Sequence, residues 1–469
     1  EENLIIPDGT TSLTIRGQGK ASTTFDGDGN GIFLDFATGG NTSNVTIQDM
    51  KIQQYGSSAA GGAIWIAPDI GPISFLNVDF DQNSTSVSSG DAGGGAVFID
   101  DGSTTRTINF TGCNFTSNTS SRGGGAIYSE ADGSSDRITL NLTKCIFGGN
   151  SAPDFGGAIE LDYTTATINN CLFYENSCNT GGAINSWQSS VTAFNCTFAD
   201  NIGTSGAHRT STSSTDSYTN TIFYGTVDGS GNSEEHIYVK SGATMTQNFT
   251  ICSNCGTQSY GATVTNEVTG NPNFTDAAND DYTISSGDGL RNSIDAVDEG
   301  TSTGAPADDL LGTSRPQGSN HDLGCYELIT CSPLTSAGTV TAPGTTAGCD
   351  NLDPDNIVHA SDASGGSGGT INYLWEKSTD GGSSWVTAGG NTATSNNPAP
   401  ISTATIFRRG ASRCATASVD GSEQYTSNVS FTISATPNAG TLSGNTAQNI
   451  GSQVQFTTDG DAGGTWSSD

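Results

Sequence analysis

The sequence has few basic residues. Of its 469 residues, 15 are Lys or Arg and 48 are Asp or Glu, which gives a formal net charge of −33 at pH 7. A protein with this charge repels phosphate backbones and anionic lipid headgroups, so nucleic acid and anionic membranes are excluded as partners. The acidic surface fits either ordinary solubility or a saline, extracellular setting.

Long hydrophobic runs and helical periodicity are also missing. No stretch approaches the ~18 apolar residues of a membrane span, so we expect no membrane insertion. No signal-peptide pattern opens the chain, which indicates a mature form or a fragment. The 63 glycines argue against helices, because each Gly inside a helix is about 1 kcal/mol less favourable than Ala. The composition favours a thin-cored, turn-rich β protein.

Two short motifs alternate along the first half of the chain. The first, Gly-Gly-Ala followed by Ile or Val, starts at Gly61, Gly94, Gly124, Gly156 and Gly181. The second, Cys-x-Phe-x-x-Asn, starts at Cys113, Cys145, Cys171 and Cys196. Successive starts of the first motif lie 25 to 33 residues apart, a period that is typical of solenoids, propellers and repeat arrays.

Each repeat predicts three short strands joined by three bends. Polar and apolar residues alternate in runs such as residues 107–110, as they do in half-buried strands. The alternation slips by one residue before each Cys, which indicates a bend. The Gly-Gly pair reaches positive φ without penalty, and the Asn that ends the second motif tolerates the left-handed region. The prediction is an all-β chain that begins with a parallel β-helix of three strands per coil.

Stacked coils place equivalent residues above one another, about 4.8 Å apart. We therefore expect a core ladder of cysteines, a neighbouring column of phenylalanines and a corner ladder of asparagines. The predicted core ladder is Cys113, Cys145, Cys171 and Cys196. The predicted columns beside it are Phe115, Phe147, Phe173 and Phe198, and Asn118, Asn150, Asn176 and Asn201.

The two alternating motifs resemble the repeats of polymorphic outer-membrane proteins and of related right-handed β-helix surface proteins. The resemblance covers roughly residues 40–225. It implies that the predicted β-helix is right-handed and that it belongs to a surface protein.

The residue after each Gly-Gly-Ala-Ile/Val motif should point outward. In the first three repeats this residue is aromatic: Trp65, Phe98 and Tyr128. Stacked aromatic residues on an outer face predict a carbohydrate-stacking stripe or a docking patch for an extracellular surface. The alternative is a local aromatic ladder that loops cover.

Polar residues on the same strands are candidates for catalysis. His208 and Arg209 stand where the first motif decays, so we expect a distorted coil or a change of register there, with a catalytic His-Arg pair as the sharper hypothesis. Glu160 and Asp162 share one outward face, which favours a solvated strand over a catalytic pair. We expect no groove that combines two or three acids with Lys or Arg, and therefore no enzyme activity.

One loop carries a candidate metal site. Asp26, Asp28 and Asn30 alternate oxygen ligands and precede Gly31, as in the first half of a calcium loop. The Glu expected at the twelfth position is absent, and Ala37 stands there. A plain turn between coils is the alternative, and calcium is the one cofactor that the sequence suggests.

The chain has 11 cysteines, more than the core ladder uses. The CxxC spacing near residue 252 has no second pair and no neighbouring His, which favours a short-loop disulfide over zinc. The candidate bridges are Cys252–Cys255, Cys325–Cys331 and Cys349–Cys414. Such bridges indicate an oxidising, extracellular compartment.

Residues 271–327 carry a second ordered set of motifs: NPNF at 271, DYTI at 281, SIDA at 293, RP at 315 and DLGCYE at 322. Their order resembles the closing segment of bacterial β-helix proteins of the choice-of-anchor type, although Cys325 stands where a small residue is usual. The resemblance implies that the β-helix ends here. We expect this segment to cover the open edge of the last coil, which would otherwise template aggregation.

After residue 331, Ser, Thr, Ala and Gly dominate, and residues 371–385 predict a hairpin. This region resembles the tandem immunoglobulin-like repeats of large Bacteroidota surface proteins, including gliding-motility adhesins. The predicted domains are a β-helix at 1–270, its closing segment at 271–330, an immunoglobulin-like β-sandwich at 331–436 and the truncated start of a second at 437–469.

The sequence as a whole predicts a secreted or cell-surface adhesin or stalk, a fragment of a large bacterial repeat protein. Its partners would be an extracellular glycan or surface, further domains of the same polypeptide, and a secretion or anchoring apparatus. Two alternatives stay open. One is a polysaccharide lyase or hydrolase, supported by fold analogy, and the other is a structural subunit of an extracellular filament.

Overall fold

A computed structural model of the chain describes residues 4–36, 42–68, 70–87, 93–100, 105–131, 133, 138–233, 236–252, 262–268, 270–284, 296–328, 334–366, 371–388, 395–412, 424–438, 440–443 and 457–460. The chain forms two compact units, residues 1–329 and residues 330–469. Within the described ranges both units are β-structure, and the single helix there is the 3-10 helix Ala277–Asn279.

Residues 4–252 form a parallel β-solenoid of about eight turns, which confirms the predicted fold. In the described residues, nine parallel strands form the sheet that we call the Gly-Gly-Ala sheet: Leu4–Ile6, Leu34–Phe36, Ile64–Ile66, Val97–Ile99, Ile127–Ser129, Ile159–Asp162, Ile184–Trp187, His208–Ser211 and Ile237–Val239. This sheet carries the first motif of every repeat.

The second motif lies in a long sheet that contributes two ladders to the coils. Its strands, fifteen in the described chain, are Leu13–Arg16, Thr24–Asp26, Val45–Gln53, Ile73–Asp81, Arg106–Thr111, Asn114–Thr116, Ile138–Thr143, Ile146–Gly148, Thr164–Asn169, Leu172–Tyr174, Ser190–Phe194, Thr197–Ala199, Thr215–Tyr224, Thr244–Cys252 and Ala262–Val268. A short corner sheet completes the early coils with Gly56–Ser57, Ser84–Thr85 and Thr119–Ser120.

Both glycines of the first motif are required by backbone geometry. The first glycine of each motif is left-handed, with φ of 74° at Gly61, 74° at Gly94, 60° at Gly124, 56° at Gly156 and 73° at Gly181. A Cβ on it would collide with the carbonyl oxygen three residues ahead, and a Cβ on the second glycine would collide with backbone of the next coil. Only glycine has neither problem.

The other two bends each use one left-handed residue. The first bend residue stands directly before the motif Cys, at Gly112, Lys144, Asn170 and Asn195, with φ of 51° to 64°. The second stands directly before the motif Asn, at Ser117, Gly149, Glu175 and Asp200, with φ of 51° to 62°. The second set corrects the sequence analysis, which assigned the left-handed conformation to the Asn itself. The Asn instead supplies hydrogen bonds to the neighbouring coils.

Equivalent side chains stack along the solenoid. The rings of Phe115, Phe147, Phe173 and Phe198 follow one another at 4.7 Å, with planes within 3° of parallel. The four motif cysteines are fully buried beside them, and the backbone nitrogen of Cys145 lies 3.4 Å from Sγ of Cys171. Because adjacent strands in ordinary sheets are rotated by about 20°, this parallel stacking shows that successive coils add little twist.

The closing segment packs against the side of the solenoid. Tyr282 and Cys325 share a buried cluster with Leu172 and Ala199, which point outward from the long sheet. The closing segment thereby buries apolar side chains on the outer face of these strands that would otherwise be exposed to water. The segment also reaches the last coils, since Ile284, Ala296 and Leu323 share a buried cluster with Ile251 against which Val268 packs. That it covers the open edge of the last coil stays a prediction. The last strand, Ala262–Val268, pairs within the described chain with Thr244–Cys252 alone.

In the described part of the first unit, the solenoid strands are followed by the antiparallel pair Phe274–Asp276 and Asp281–Ile284, and residues 296–328 come after this pair. The second unit contains a sheet of six strands in its described part: Ala347–Cys349, Asn372–Ser378, Val386–Thr387, Thr405–Ser412, Gln424–Tyr425 and Val429–Ser434. Two short pairs accompany it, Thr339–Thr341 with Val358–Ser361, and Leu442–Ser443 with Thr457–Thr458. The predicted hairpin is present, since Glu376 pairs with Thr387. Trp375 is fully buried in the core of this unit.

Candidate functional site

The parallel register of the Gly-Gly-Ala sheet brings the outward residues of successive coils into one column. Tyr128 pairs with Glu160, Glu160 with Asn185, and Asn185 with Arg209. Each of these residues directly follows the inward residue of its repeat. Side chains that are 24 to 32 residues apart in sequence therefore become neighbours on one outer face.

A pocket of about 220 Å³ opens over this column. Its lining combines two carboxyl groups, two guanidinium groups, one amide and three aromatic rings, contributed by Arg122, Tyr128, Phe155, Glu160, Asp162, Asn185, Trp187 and Arg209. The segments that precede the Gly-Gly-Ala motifs supply Arg122 and Phe155, and the strands supply the rest. The pocket is thus built from the floor of the sheet and the connections that cross its edge.

A chain of hydrogen bonds runs along the floor of the pocket. The Nη1 of Arg209 donates to Oδ1 of Asn185 at 2.9 Å, and Nδ2 of Asn185 donates to Oε1 of Glu160 at 2.7 Å. The hydroxyl of Tyr128 donates to Oδ2 of Asp162 at 2.8 Å. The other oxygen of Glu160, Oε2, is buried and has no hydrogen-bond partner.

Burial sets the protonation of these groups. Glu160 is 4% exposed, and its burial, together with the adjacent Asp162 carboxylate, raises its pKa well above the usual range. The same two causes raise the pKa of Tyr128, whereas burial lowers the pKa of the Arg209 guanidinium. The negative charge of Asp162 disfavours a second charge on Glu160, so the pair favours a neutral Glu160 beside an ionised Asp162. Glu160 can then present Oε2 to a ligand as a donor while Asp162 accepts.

This geometry corrects two expectations about Glu160 and Asp162. The strand is not solvated at Glu160, because the segment containing Gly123 crosses over it and a Cβ on Gly123 would lie 3.6 Å from Cγ of Glu160. The expectation that no acids meet Arg in one groove is also wrong, since both carboxyls and Arg209 line one pocket. The sequence predicts that Glu160 and Asp162 share one face, but it does not predict that another segment buries Glu160.

The aromatic residues of the early coils do not form an exposed stripe. Phe98 and Tyr128 are 4% and 3% exposed, and their rings contact edge to face at 5.6 Å. Trp65 is half-buried, and its Nε1 donates to Oδ2 of Asp100 at 3.1 Å. The alternative of a covered aromatic ladder describes Phe98 and Tyr128, and the exposed stripe is wrong for both. Tyr128 keeps a role because its hydroxyl reaches the pocket.

His208 and Arg209 do not act together. His208 points into the core, where Nε2 lies 2.9 Å from Oδ2 of Asp216 and Nδ1 lies 2.8 Å from the hydroxyl of Tyr218. Arg209 points outward to the pocket. The expected distortion is also absent, because this strand keeps its register with the strands before and after it. The buried network replaces apolar packing in that coil.

The predicted calcium loop is a turn with internal hydrogen bonds. The carboxylate of Asp26 accepts from the backbone nitrogen of Asp28 at 3.0 Å and from Gln53 at 2.6 Å. The amide of Asn30 donates to the carbonyl of Asp28 at 3.0 Å. Over the described ranges, no group of three or more His, Cys, Asp or Glu side chains could hold a metal ion. Calcium binding at this loop stays a prediction.

The cysteines outside the ladder behave differently from one another. Cys252 is disulfide-bonded, whereas Cys325 and Cys349 are free thiols. The proposed bridges of Cys325 and Cys349 are therefore not formed. Cys325 is instead buried against the solenoid, where its backbone nitrogen bonds to Thr197, and Cys349 is exposed on a strand. Three predicted partners lie outside the described residues: Cys255, Cys331 and Cys414.

Sequence reasoning missed Asn185, Trp187 and Arg122 as members of the site. A signal for Asn185 existed, because it holds the same motif position as Glu160. Trp187 likewise pairs with Asp162 across the sheet. No repeat position marks Arg122, because it lies in a connection whose path over the sheet depends on tertiary packing.

Comparisons with known proteins concern mainly the second unit. No curated protein and no solved structure shows significant similarity to the chain. Within the described ranges, no helix has the length and apolar character needed to span a bilayer. Over residues 336–436, the second unit is similar to a family described as a domain of unknown function (DUF8696).

Proposed function

We propose that the chain is an extracellular attachment protein whose solenoid binds a saccharide at the pocket around Glu160. The observation that carries the proposal is the unpartnered Oε2 of Glu160. A buried polar atom without a partner is unfavourable by about 1–3 kcal/mol, and a ligand hydroxyl would remove this penalty. Binding is thereby favoured at this place over any solvated part of the same sheet.

The chemistry of the lining suits a sugar ring. Sugar hydroxyls both donate and accept, so they can pair with the Glu160 carboxyl, the Asp162 carboxylate and the Arg209 guanidinium at once. The half-buried ring of Trp187 offers an apolar surface for the C–H groups of a sugar. A few convergent polar groups beside aromatic rings are typical of ligand pockets.

The size of the pocket limits the ligand. Its volume of about 220 Å³ is below the ~300 Å³ at which pockets begin to hold drug-sized ligands. One sugar ring, such as a chain end or a branch of a glycan, fits this space better than an internal stretch of polysaccharide. We therefore propose attachment to terminal or branching sugars.

Charge and cysteine chemistry support the extracellular part of the proposal. A net charge of −33 suits a surface in a saline medium, because it keeps the protein soluble and discourages association. The disulfide at Cys252 favours an oxidising compartment. The β-solenoid itself is consistent with an adhesin or another surface protein.

The proposal is tested by screening the full chain on a glycan array and measuring affinity for the retained sugars by calorimetry. Glu160→Gln keeps the shape of the side chain but replaces one carboxyl oxygen with an NH2 group, which donates hydrogen bonds and cannot ionise. This variant should bind the sugar roughly tenfold more weakly, equivalent to ~1.4 kcal/mol. Trp187→Ala should weaken the binding of the same sugars. The matched control is Glu267→Gln on an exposed strand, which should bind as the wild type does. Unchanged affinity in Glu160→Gln would refute the role of the pocket.

A second candidate, a polysaccharide hydrolase or lyase, is favoured by the carboxyl pair. Glu160 with its raised pKa has the property of a general acid, and Asp162 that of a base or nucleophile. We place it second because cleavage needs sugars on both sides of the broken bond, and the pocket has room for about one. Release of reducing ends from a polysaccharide by the wild type, and its loss in Asp162→Asn, would reverse this order.

A further inference from the structure

The outer face of one ladder of the long sheet carries the same kind of side chain in coil after coil. In each strand the outward residues alternate with residues that lie in the core. One outward column is Thr107, Thr139, Thr165, Ser190, Thr215 and Thr244. The next column is Asn109, Asn141, Thr167, Thr192, Ser217 and Thr246. We call these two columns the hydroxyl face.

The hydroxyl face has no charged residue, although the chain has a net charge of −33. Charged side chains do point outward from this sheet in an earlier coil, where Asp79 and Asp81 of the adjacent ladder form ion pairs with Lys20 and Lys51 at 2.7 Å. All positions of the hydroxyl face are half-buried or exposed, so the rest of the described chain leaves them open. A general demand for solubility does not explain a neutral face on so acidic a protein.

The two columns form a rectangular mesh. Neighbours in a column are on adjacent strands, about 4.8 Å apart, and neighbours across columns are two residues apart, about 6.6 Å. In the first four of these coils the Phe rings repeat at 4.7 Å with planes within 3°. The next ring, Phe223, follows at 4.8 Å with a plane tilted by 11°, so the mesh twists little from coil to coil. Each strand is held from below by buried side chains such as Leu140 and Ile168, which keeps the mesh rigid.

We propose that the hydroxyl face adsorbs to ice. Ice presents a fixed lattice of hydrogen-bonding oxygens whose rectangular mesh on the prism plane has similar dimensions to this one. A flat and rigid array of neutral hydroxyl, amide and methyl groups can order water in register with that lattice. Ice excludes ions, so a face that lacks charge on an otherwise acidic protein has the required complementarity.

A crystalline polysaccharide is the competing occupant, and the side chains disfavour it. Flat sugar surfaces are bound by stacking on aromatic rings, and no position of the two columns is aromatic. The proposal also does not depend on the Glu160 pocket, which lies on another sheet. Loss of sugar binding would therefore leave ice adsorption intact.

The test is to grow ice slowly from a solution of the full chain and to measure its concentration in the ice and in the remaining liquid. The wild type should be enriched in the ice. Thr167→Lys/Thr192→Lys places two charges on neighbouring positions of one column, and it should reduce the enrichment roughly tenfold because these charges must be desolvated at the ice surface. Thr167→Ala/Thr192→Ala adds no charge and should reduce the enrichment in the ice several-fold. This variant tests the proposal if the Lys variant does not fold.

The matched control is Thr119→Lys/Ser151→Lys, which adds the same charges at two bridged positions of adjacent coils. These positions directly follow Asn118 and Asn150 of the corner ladder. This variant and Glu160→Gln should both enter the ice as the wild type does. The proposal is overturned if the wild type stays in the liquid, or if the corner variant loses enrichment equally. Retention on microcrystalline cellulose without enrichment in ice would likewise reject it in favour of the polysaccharide.

Discussion

In the corner ladder, Asn150 accepts two hydrogen bonds from Asn118: its Oδ1 lies 3.0 Å from the backbone nitrogen and 3.0 Å from Nδ2 of Asn118. The Nδ2 of Asn150 also donates to the carbonyl oxygen of Phe115 at 2.9 Å. The same Nδ2 donates to Oδ1 of Asn176 at 2.9 Å, an atom that also accepts from the backbone nitrogen of Asn150. One side chain thus bonds to four buried polar groups at a bend where the sheet ladder is interrupted.

Replacing Asn150 with Ala should therefore lower the free energy of unfolding of the first unit by about 2–4 kcal/mol. The reason is that two donors and one acceptor lose their partner, and each unsatisfied buried group is unfavourable by ~1–3 kcal/mol. Urea denaturation followed by circular dichroism measures the change. The control is Asn179→Ala at an exposed position, which should stay within about 0.5 kcal/mol of the wild type. Equal losses in both variants would show that the ladder is not special.

The solenoid could be predicted because each coil repeats the same physical problem. The bend before Cys145 and the stacking of Cys145 beside Cys171 follow from a spacing that recurs, so one strand pattern determines the whole stack. The sequence did not determine which residue at the bend near Asn150 adopts the left-handed conformation. Asn150 and its predecessor Gly149 both suit that conformation, and only the hydrogen bonds of Asn150 decide between them.

The pocket could be predicted only in part, because its members are unlike one another. Glu160, Asn185 and Arg209 share a motif position, which places them in one column, but nothing local indicates that the column is buried. That burial comes from connections such as the one carrying Arg122, whose path is a tertiary property. The repeats thus predict which residues are neighbours across the sheet. They do not predict which face of the sheet other segments will bury.

His208 shows how a polar residue at an apolar position can be misread. It looks like a defect in the repeat, but Asp216 also occupies an inward position and accepts from Ser186 at 2.6 Å and Thr210 at 2.7 Å. The two substitutions compensate each other across the core. Reading both inward positions together would have predicted a buried pair instead of a distorted coil.

Breaking this pair should be far more harmful than removing it completely. Asp216→Val leaves His208 and two hydroxyls without their acceptor, and we expect a loss of about 3–5 kcal/mol. The triple variant His208→Ile/Asp216→Val/Tyr218→Phe restores aliphatic and aromatic packing, so it should recover the part of that loss that comes from the unpaired His208. The Ser186 and Thr210 hydroxyls still lack their acceptor in this variant. Thermal and urea denaturation of both variants provide the comparison. A triple variant no more stable than Asp216→Val would show that the network is not self-contained.

The stability of the first unit should depend on pH through Asp322. Burial and the nearby Glu327 carboxylate raise the pKa of Asp322 to about 7, above the ~3.9 of an unfolded chain. The folded state holds this proton more tightly, so the stabilisation is complete below about pH 4 and is lost as the pH rises through 7.

The free energy of unfolding should therefore fall between about pH 4 and pH 7 by more in the wild type than in Asp322→Asn, which cannot titrate. Urea denaturation at intermediate pH values gives both slopes. Glu267→Gln, which removes an exposed carboxyl group, should keep the slope of the wild type. If Asp322→Asn keeps that slope too, Asp322 does not control the pH dependence.

The second unit should depend most on Arg409, a fully buried cation. Its Nη2 donates to the carbonyl oxygens of Ala337 at 2.8 Å and Ser361 at 3.1 Å, and its guanidinium lies 4.5 Å from the ring centre of Tyr373. Arg409 therefore joins the start of the unit to its six-stranded sheet by hydrogen bonds, beside a buried apolar cluster that includes Leu334, Ala337 and Ala411.

Arg409→Met keeps most of the side-chain volume but removes every donor, so it should destabilise the second unit by about 3 kcal/mol or more. The neighbouring Arg408 lies on the opposite side of the strand, 3.8 Å from the ring of Trp385, and is partly exposed. Arg408→Met should lose less, because solvent replaces part of its interactions. Tryptophan fluorescence during denaturation follows the second unit through buried Trp375 once the first-unit tryptophans, Trp65 and Trp187, are replaced by Phe in every variant compared. A larger loss in Arg408→Met would mean that the exposed ring stack, and not the buried donor, holds this unit together.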